Sequence, residues 1–258
     1  MRYLDIAIEL ARESGRIQLE DLSKNHDIQY KGVINIVTEV DKKCETLITE
    51  RLQKEFPKHD ILAEEDSGRR IKSDYRWIID PLDGTVNYAH GYPLFATSIA
   101  LEYKGEVILG VVFEPNRNEL FVAEKGCGAT LNDRRIKVSE TSELQKALLD
   151  TGFAYNIREG EKENNIKHFV NFLLKVQAVR RDGAAASDLC YVACGRFDGF
   201  WELYLKPWDI AAGQAIIKEA GGKVSTFNGD NLDIYGKEIL VSNGKIHKQM
   251  INVLCQKS

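Results

Sequence analysis

Apolar residues return at helical intervals at the start of the chain and again from residue 39. The first stretch, residues 2 to 22, carries Leu4, Ile8, Ala11, Ile17 and Leu22. The second, residues 39 to 56, carries Val40, Cys44, Leu47, Ile48, Leu52 and Phe56, with Pro57 as its stop and Thr38 as its N-cap. Ile61-Leu62-Ala63 predicts a short strand closed by Glu64-Glu65-Asp66, and the polar stretch from Asp66 to Asp74 predicts a mobile loop. Trp77-Ile78-Ile79 predicts a buried strand that stops where Asp80 and Asp83 begin. Strands follow at Phe95 to Tyr103, Val107 to Phe113 and Glu119 to Ala123. Lys104-Gly105 and Pro115-Asn116-Arg117-Asn118 separate them as turns, which makes an antiparallel meander.

The second half alternates differently. Strands are expected at Ala147 to Gly152, Gln177 to Arg181, Phe197 to Leu203 and Ile239 to Ser242. Helices are expected at Glu161 to Val176, Ala184 to Cys194, Pro207 to Ala220 and Lys245 to Leu254, with Gly221-Gly222 as a stop. Helices and a meander followed by mixed β/α predict a layered α/β sandwich without a linker. One domain over residues 1–258 is expected, in two intimate halves of roughly 1–145 and 146–258.

Charge and composition narrow the function classes. The 258 residues carry 35 basic and 39 acidic side chains, a net charge of −4, so neither a nucleic-acid nor a membrane-surface partner is indicated. Arg2, Asp5 and Glu9 argue against a secretory signal, and no apolar run is long enough for a membrane helix. Five scattered cysteines without a Cys-x-x-Cys pair suggest neither disulfides nor a zinc ribbon, and Cys190 and Cys194 read as small buried residues. A cytoplasmic protein is expected.

The chemistry concentrates in Asp80-Pro81-Leu82-Asp83-Gly84-Thr85. Two carboxylates at the end of a buried strand are costly unless paired, and a hard divalent cation such as Mg2+ is the natural partner. Pro81 fixes the backbone, so that the Leu82 carbonyl can face the same ion. The N–H groups of Gly84 and Thr85 then open a helical turn suited to an anion. An ordinary β-turn has the same composition. The covalent nucleophile of haloacid-dehalogenase-type phosphatases is missing, because Pro81 stands two residues before Asp83. Asp41, Glu64 and Asp209 each sit at an element end or beside an apolar run. Each also has a plainer reading, as a helix surface charge, a loop acid and a first-turn acid respectively. Together with Asp80 and Asp83 they point to the multi-metal carboxylate cluster used in phosphoryl hydrolysis.

The sequence resembles the inositol monophosphatase family. The resemblance rests on Ile36 to Asp41, Ala63 to Ser67, Trp77 to Asn87 and Pro207 to Gly213, in family order over nearly the whole chain. It implies an αβαβα sandwich of the inositol monophosphatase and fructose-1,6-bisphosphatase type. It implies two to three Mg2+ ions, with Glu64, Asp80 and the Leu82 carbonyl on the first and Asp80, Asp83 and Asp209 on the second. Glu64 also helps to hold the third. Thr38, Asp41, Glu64 and Thr85 surround the attacking water, and Gly84 and Thr85 hold the phosphate. Gly183, Ala184 and Ala185 line the substrate ring, and Glu202 takes a hydroxyl. The implied substrate is a small phosphorylated polyol or sugar, first of all myo-inositol 1-phosphate. Fructose 1,6-bisphosphate, a nucleotide 3′-phosphate and NADP(H) are alternatives, and a transcription-machinery interaction protein is the non-enzymatic one. Lithium sensitivity and a homodimer also follow from the resemblance. Two features depart from it or stay open: family members often carry an acid where Asn35 stands, and Arg180-Arg181 is placed either to greet a second phosphate or to end a strand in solvent.

Overall fold

The run Trp77-Ile78-Ile79 is apolar throughout because apolar layers cover its strand on both sides. Trp77 and Ile79 pack with the N-terminal helices, and Ile78 packs with helices from the second half. This computed structural model describes residues 2–22, 29–30, 36–65, 67–154, 157 and 164–256. Asn35, Asp66 and residues 161–163 lie outside them.

The first half comprises α1 (Tyr3–Asp21), β1 (Gln29–Tyr30), β2 (Ile36–Val37), α2 (Glu39–Glu55), β3 (Asp60–Ala63), β4 (Tyr75–Asp83) and the short α3 (Thr85–Ala89). The meander is β5 (Ala96–Tyr103), β6 (Glu106–Glu114), β7 (Glu119–Glu124), β8 (Ala129–Leu131) and β9 (Arg134–Arg135). The second half runs β10 (Leu148–Thr151), α4 (Ile166–Leu173), β11 (Ala178–Arg180), α5 (Ala185–Ala193), β12 (Gly199–Leu203) and α6 (Pro207–Glu219). It ends with β13 (Lys223–Ser225), β14 (Glu238–Ser242) and α7 (His247–Leu254).

Strands β3 to β9 form one seven-stranded sheet in sequence order, antiparallel except for the β3–β4 pair. A five-stranded mixed sheet has the order β11-β10-β12-β14-β13. Helices α1 and α2 cover the outer face of the larger sheet through Ile6, Leu10, Ile48 and Leu52. Helices α5 and α6 fill the space between the two sheets, joining Ile78, Ala100 and Val112 to Phe200, Ile239 and Val241. Phe172 of α4 and Met250 and Val253 of α7 close the outer face of the smaller sheet over Trp201 and Leu240. These layers are the expected αβαβα sandwich. No helix among the described residues is long and apolar enough to cross a membrane.

Several local expectations change. Strand β4 does not stop at Asp80 but continues to Asp83, with an irregular register against β5 between those two residues. Pro81, which cannot donate to a ladder, fits this interruption. Residues 67–74 form no regular element, yet the segment is tied down. Ile61 N–H donates to the Arg69 carbonyl (2.8 Å), Ile71 N–H donates to Asp60 (2.8 Å), and Arg69 reaches the His59 carbonyl (3.1 Å). The segment therefore covers the exposed edge of β3. On α1 the buried stripe is Ile6, Ala7, Leu10, Ala11, Ser14, Gly15 and Gln18, while Leu4, Ile8, Ile17 and Leu22 flank it half-buried. Strand β13, formed by Lys223–Ser225, is an element that the hydrophobic pattern did not announce.

Candidate active site

The Asp80 turn is held from behind by α1. Gln18 Nε2 donates to the Pro81 carbonyl (2.8 Å) and to Thr97 Oγ1 (2.9 Å), and Ser14 Oγ lies 2.9 Å from Thr97 Oγ1. This explains the polar stripe on a helix that otherwise packs on apolar strands: the bulged turn has a free carbonyl that must be satisfied. Leu82 N–H donates to Asp80 Oδ1 (3.0 Å), closing the turn on itself. Gly84 follows at φ +88°, where a side chain would be strained. A Cβ there would also come within 3.0 Å of the Leu94 carbonyl.

Thr85 and Asp41 are joined across 44 positions. Thr85 Oγ1 lies 2.9 Å from Asp41 Oδ1 and 3.1 Å from the Leu82 carbonyl, two acceptors for one hydroxyl hydrogen. Asp41 Oδ2 accepts from the Thr38 N–H (2.8 Å) and the Thr38 hydroxyl (2.6 Å), while Thr38 Oγ1 accepts from Val40 N–H as the expected N-cap of α2. Asp41 is therefore a buried acid inside the capping box and not a surface charge. Burial pushes its pKa up, and the hydrogen bonds from Thr38 and Thr85 pull the other way.

Four further acids converge: Glu64 from the turn after β3, Asp80 and Asp83 from the end of β4, and Asp209 from α6. Asp80 is fully enclosed, and its pKa is raised well above the usual range, first by burial and then by the charges of Glu64, Asp83, Asp209 and Asp41. Asp83 is pushed up to about 7, again chiefly by burial, while N–H groups of Ala185, Ala186 and Ser187 oppose the shift. The Ala186 N–H lies 2.8 Å from Asp83 Oδ2. Asp83 thus sits on the open N-terminus of α5, where the helix dipole favours an anion. Asp209 is the third residue of α6 and accepts from Lys206 N–H (2.7 Å) behind Pro207 at N1, so the first-turn reading is also true of it. Burial still raises its pKa to about 7. These acids raise one another's pKa values, with Lys206 opposing the shift at Asp209, and their donors are all oxygen. That donor set fits a hard cation.

Above these acids opens a cleft of about 430 Å³. Its lining includes Glu64, Asp83, Gly84 and Asp209 together with Arg181, Gly183, Ala184, Ala185, Glu202 and Lys206. Thr38, Asp41, Asp80, Leu82 and Thr85 are buried and do not belong to its wall. Burial, with the charge of Asp209 next, holds the Glu202 carboxyl well above the usual range. Glu202 is packed against Gly152, where a Cβ would come within 2.2 Å of Oε2. Arg181 faces the cleft and lowers the Glu202 pKa, whereas Arg180 is exposed at a strand end. The sequence-derived residues are therefore brought together from α2, β4, α3, α5, β12 and α6.

Three contributors were not anticipated. Asn87 Nδ2 donates to the Leu94 and Asp182 carbonyls (both 2.9 Å), tying α3 to the loop before Gly183. Lys206 lines the cleft beside its role at α6. Glu45 accepts from the Glu65 N–H (2.6 Å) and the Ser67 N–H (2.8 Å), fixing the turn that carries Glu64. One signal for Glu45 was present: it lies on the α2 face that buries Cys44, Ile48 and Leu52, where an acid needs a partner.

The family model of the inositol monophosphatase family matches residues 2–258. The inositol-1-monophosphatase of Synechocystis sp. is 45% identical over 255 residues, which is 98% of this chain and 88% of that protein. Nus factor SuhB of Pseudomonas aeruginosa is 40% identical over 257 residues, 97% of this chain and 95% of that protein. An inositol monophosphatase structure from Anabaena (Nostoc) sp. superimposes with a TM-score of 0.91 at 44% identity, covering 99% of this chain and 96% of that one. With the layered fold and the acid cluster already in place, these similarities show that the chain belongs to the inositol monophosphatase family and is a phosphoric monoester hydrolase.

Proposed function

We propose that the protein hydrolyses myo-inositol 1-phosphate to inositol and phosphate in a Mg2+-dependent reaction. The observation that supports this reading is the convergence of Glu64, Asp83 and Asp209 on the cleft wall with Asp80 buried behind them, where burial and mutual repulsion ask for a cation. The Synechocystis relative's name supports the substrate. Glu64, Asp80 and the Leu82 carbonyl are the ligands of a first Mg2+, and Asp80, Asp83 and Asp209 those of a second. Glu64 also helps to hold a third. Bound there, the ions neutralise the phosphate, acidify a water and stabilise the leaving alkoxide.

The chain's own residues do the rest. Thr85 donates its single hydroxyl hydrogen to Asp41, which leaves its lone pairs to accept from the attacking water and aim it. Thr38 fixes Asp41, and Glu64 bounds the water on the cleft side. The N–H groups of Gly84 and Thr85, at the start of α3, hold the phosphate oxygens. Gly183, Ala184 and Ala185 provide a flat wall for the cyclitol ring, and Glu202 takes one of its hydroxyls. The water attacks phosphorus in line with the departing oxygen, without a phospho-enzyme. Inhibition by lithium, a homodimeric state and a cytoplasmic location belong to the same reading.

Phosphate release is measured with and without Mg2+ on inositol 1-phosphate, fructose 1,6-bisphosphate, 3′-phosphoadenosine 5′-phosphate and NADP+. Mg2+-dependent release fastest from inositol 1-phosphate is the expected result. A faster alternative substrate replaces the specificity, and no release from any of the four removes the reading. Glu45→Ala is expected to raise the Mg2+ concentration for half-maximal turnover about tenfold, the usual cost of losing a group that orients a ligand. A Mg2+ titration of turnover checks this, and an unchanged midpoint rejects the role. The identity with P. aeruginosa Nus factor SuhB favours a second reading, an additional contact with the transcription machinery. Retention on immobilised RNA polymerase tests it.

A further inference from the structure

A second group of carboxylates lies beside the cleft and reaches its wall through Asp188, and the phosphatase reading leaves it unused. Asp150 is the last residue but one of β10, Asp182 precedes Gly183 in the loop between β11 and α5, and Asp188 lies in the first turn of α5. One carboxylate oxygen from each falls within 4.8 Å of the others. Asp150 is 0% exposed and Asp188 2%, and Asp182 forms the half-buried mouth. Neither oxygen of Asp150 has a hydrogen-bond partner, and Oδ1 of Asp188 has none either. The N–H groups of Asp182 and Thr151 and the Asp188 carboxyl approach Asp150 closely enough to lower its pKa against the larger effect of burial, but not in hydrogen-bonding alignment.

The charges that act on the inner pair are acidic. Asp150 feels Asp182, and Asp188 feels Asp150, Asp83 and Asp182. The basic groups Arg180 and Arg117 act on Asp182 at the mouth. Fully buried carboxylate oxygens without an aligned donor, close to two further carboxylates, are an incomplete arrangement. Either protons or a cation must complete it. Oxygen-only donors, two of them deeply buried and one at an entrance, match the preference of a hard divalent ion.

We propose that Asp150, Asp182 and Asp188 bind a divalent cation of the Mg2+, Mn2+ or Ca2+ class, at a site that shares no ligand with the Glu64, Asp80, Asp83 and Asp209 cluster. The ion clamps the loop before Gly183 between β10 and the first turn of α5. That loop is already gripped from the other side, where Asn87 donates to the Asp182 carbonyl. Asp188 also lines the cleft, so the ion sets the position of the Gly183–Ala185 wall. The inference is independent of the substrate.

Mn2+ is the probe, counted by equilibrium dialysis and by the electron paramagnetic resonance signal of the free ion. The full-length chain carries Asp83→Asn and Asp209→Asn, which weakens the phosphatase cluster and leaves the three carboxylates of the second group in place; every chain compared shares the loss of the Asp83 charge that acts on Asp188. Adding Asp150→Asn to this background is expected to remove one bound Mn2+ per chain, or to weaken it at least tenfold. The rise of the melting temperature with Mn2+ concentration is expected to shrink with it. Asp182→Asn, at the half-buried mouth, is expected to produce the same loss and does not depend on how the interior tolerates an amide. An identical Mn2+ count and identical melting curves with and without these substitutions overturn the proposal. So does an Asp150→Asn chain whose only change is a higher melting temperature in chelator, because the cluster is then held together by shared protons.

Discussion

Replacing Asp83 by Asn is expected to lower phosphate release by at least ~10³-fold, about 4 kcal/mol of barrier, while making the metal-free protein more stable. The two effects have one origin. Asp83 is buried among acids and its pKa is pushed up to about 7, so ionising it in the folded, metal-free chain costs free energy that the unfolded chain does not spend. A carboxylate raised in this way loses stability as pH rises from its ordinary value, near 4, through about 7. Asparagine removes that penalty and keeps an oxygen for the Ala186 N–H, so the N-terminus of α5 remains capped. A gain of about 1–3 kcal/mol at pH 8 in chelator is expected, which is several degrees in Tm for a chain of this size. The functional site is thus bought with stability, a common trade. Steady-state phosphate release and thermal unfolding in chelator check the pair. A variant with normal turnover excludes Asp83 as a metal ligand, and one with a lower metal-free Tm excludes the repulsion argument.

Thr85→Ala is expected to reduce kcat by about 10²-fold or more with little change in KM, and Thr85→Ser to restore most of it. The phosphate-holding N–H of residue 85 belongs to the backbone and survives either change, so ground-state binding is spared. The alanine variant loses the hydroxyl proposed to accept from the water, and it also leaves Asp41 Oδ1 without its Thr85 donor. Some loss of stability, about 1–2 kcal/mol, is expected alongside. Serine keeps the oxygen in the same geometry. A serine variant as slow as alanine would show that the methyl group, and not the hydroxyl, was the contributor.

Legibility in the sequence varied with distance along the chain. The Asp80 turn could be read because its signal is local: a run of three large apolar residues ends on two acids, a proline and a glycine within six positions. Asp209 was legible for the same reason, behind Pro207 and Trp208. Thr38 was legible as a cap, since capping depends on neighbours two and three residues away. Glu202 carried no such signal of its own, and only the family resemblance pointed to it. Its environment is made by Gly152, fifty positions earlier, whose missing side chain leaves room for the carboxylate.

The α1 stripe shows where the hydrophobic pattern misleads. Leu4, Ile8 and Ile17 mark a face by hydropathy, but the face that packs includes Ser14, Gly15 and Gln18. A Cβ on Gly15 would collide with the Phe113 ring, and Gln18 donates to a carbonyl 63 positions away. Small and polar residues are buried there because a bulged strand and an aromatic ring come to meet them, and neither is visible in α1 itself.

The sequence by itself determined most of the element types, the layered α/β class, the family and the acids proposed to make up the site. Those are properties of periodicity, punctuation and short motifs, which act over a few residues. Only the tertiary structure decided that Asp83 lies on the N-terminus of α5, that Glu45 steadies the Glu64 turn, that Asp41 orients Thr85, and that Asp150, Asp182 and Asp188 share one buried spot. Each depends on groups tens of residues apart being brought within bonding distance. The physical reason is that burial leaves every polar group in need of a partner, and which partner it meets is set by the packing of whole layers.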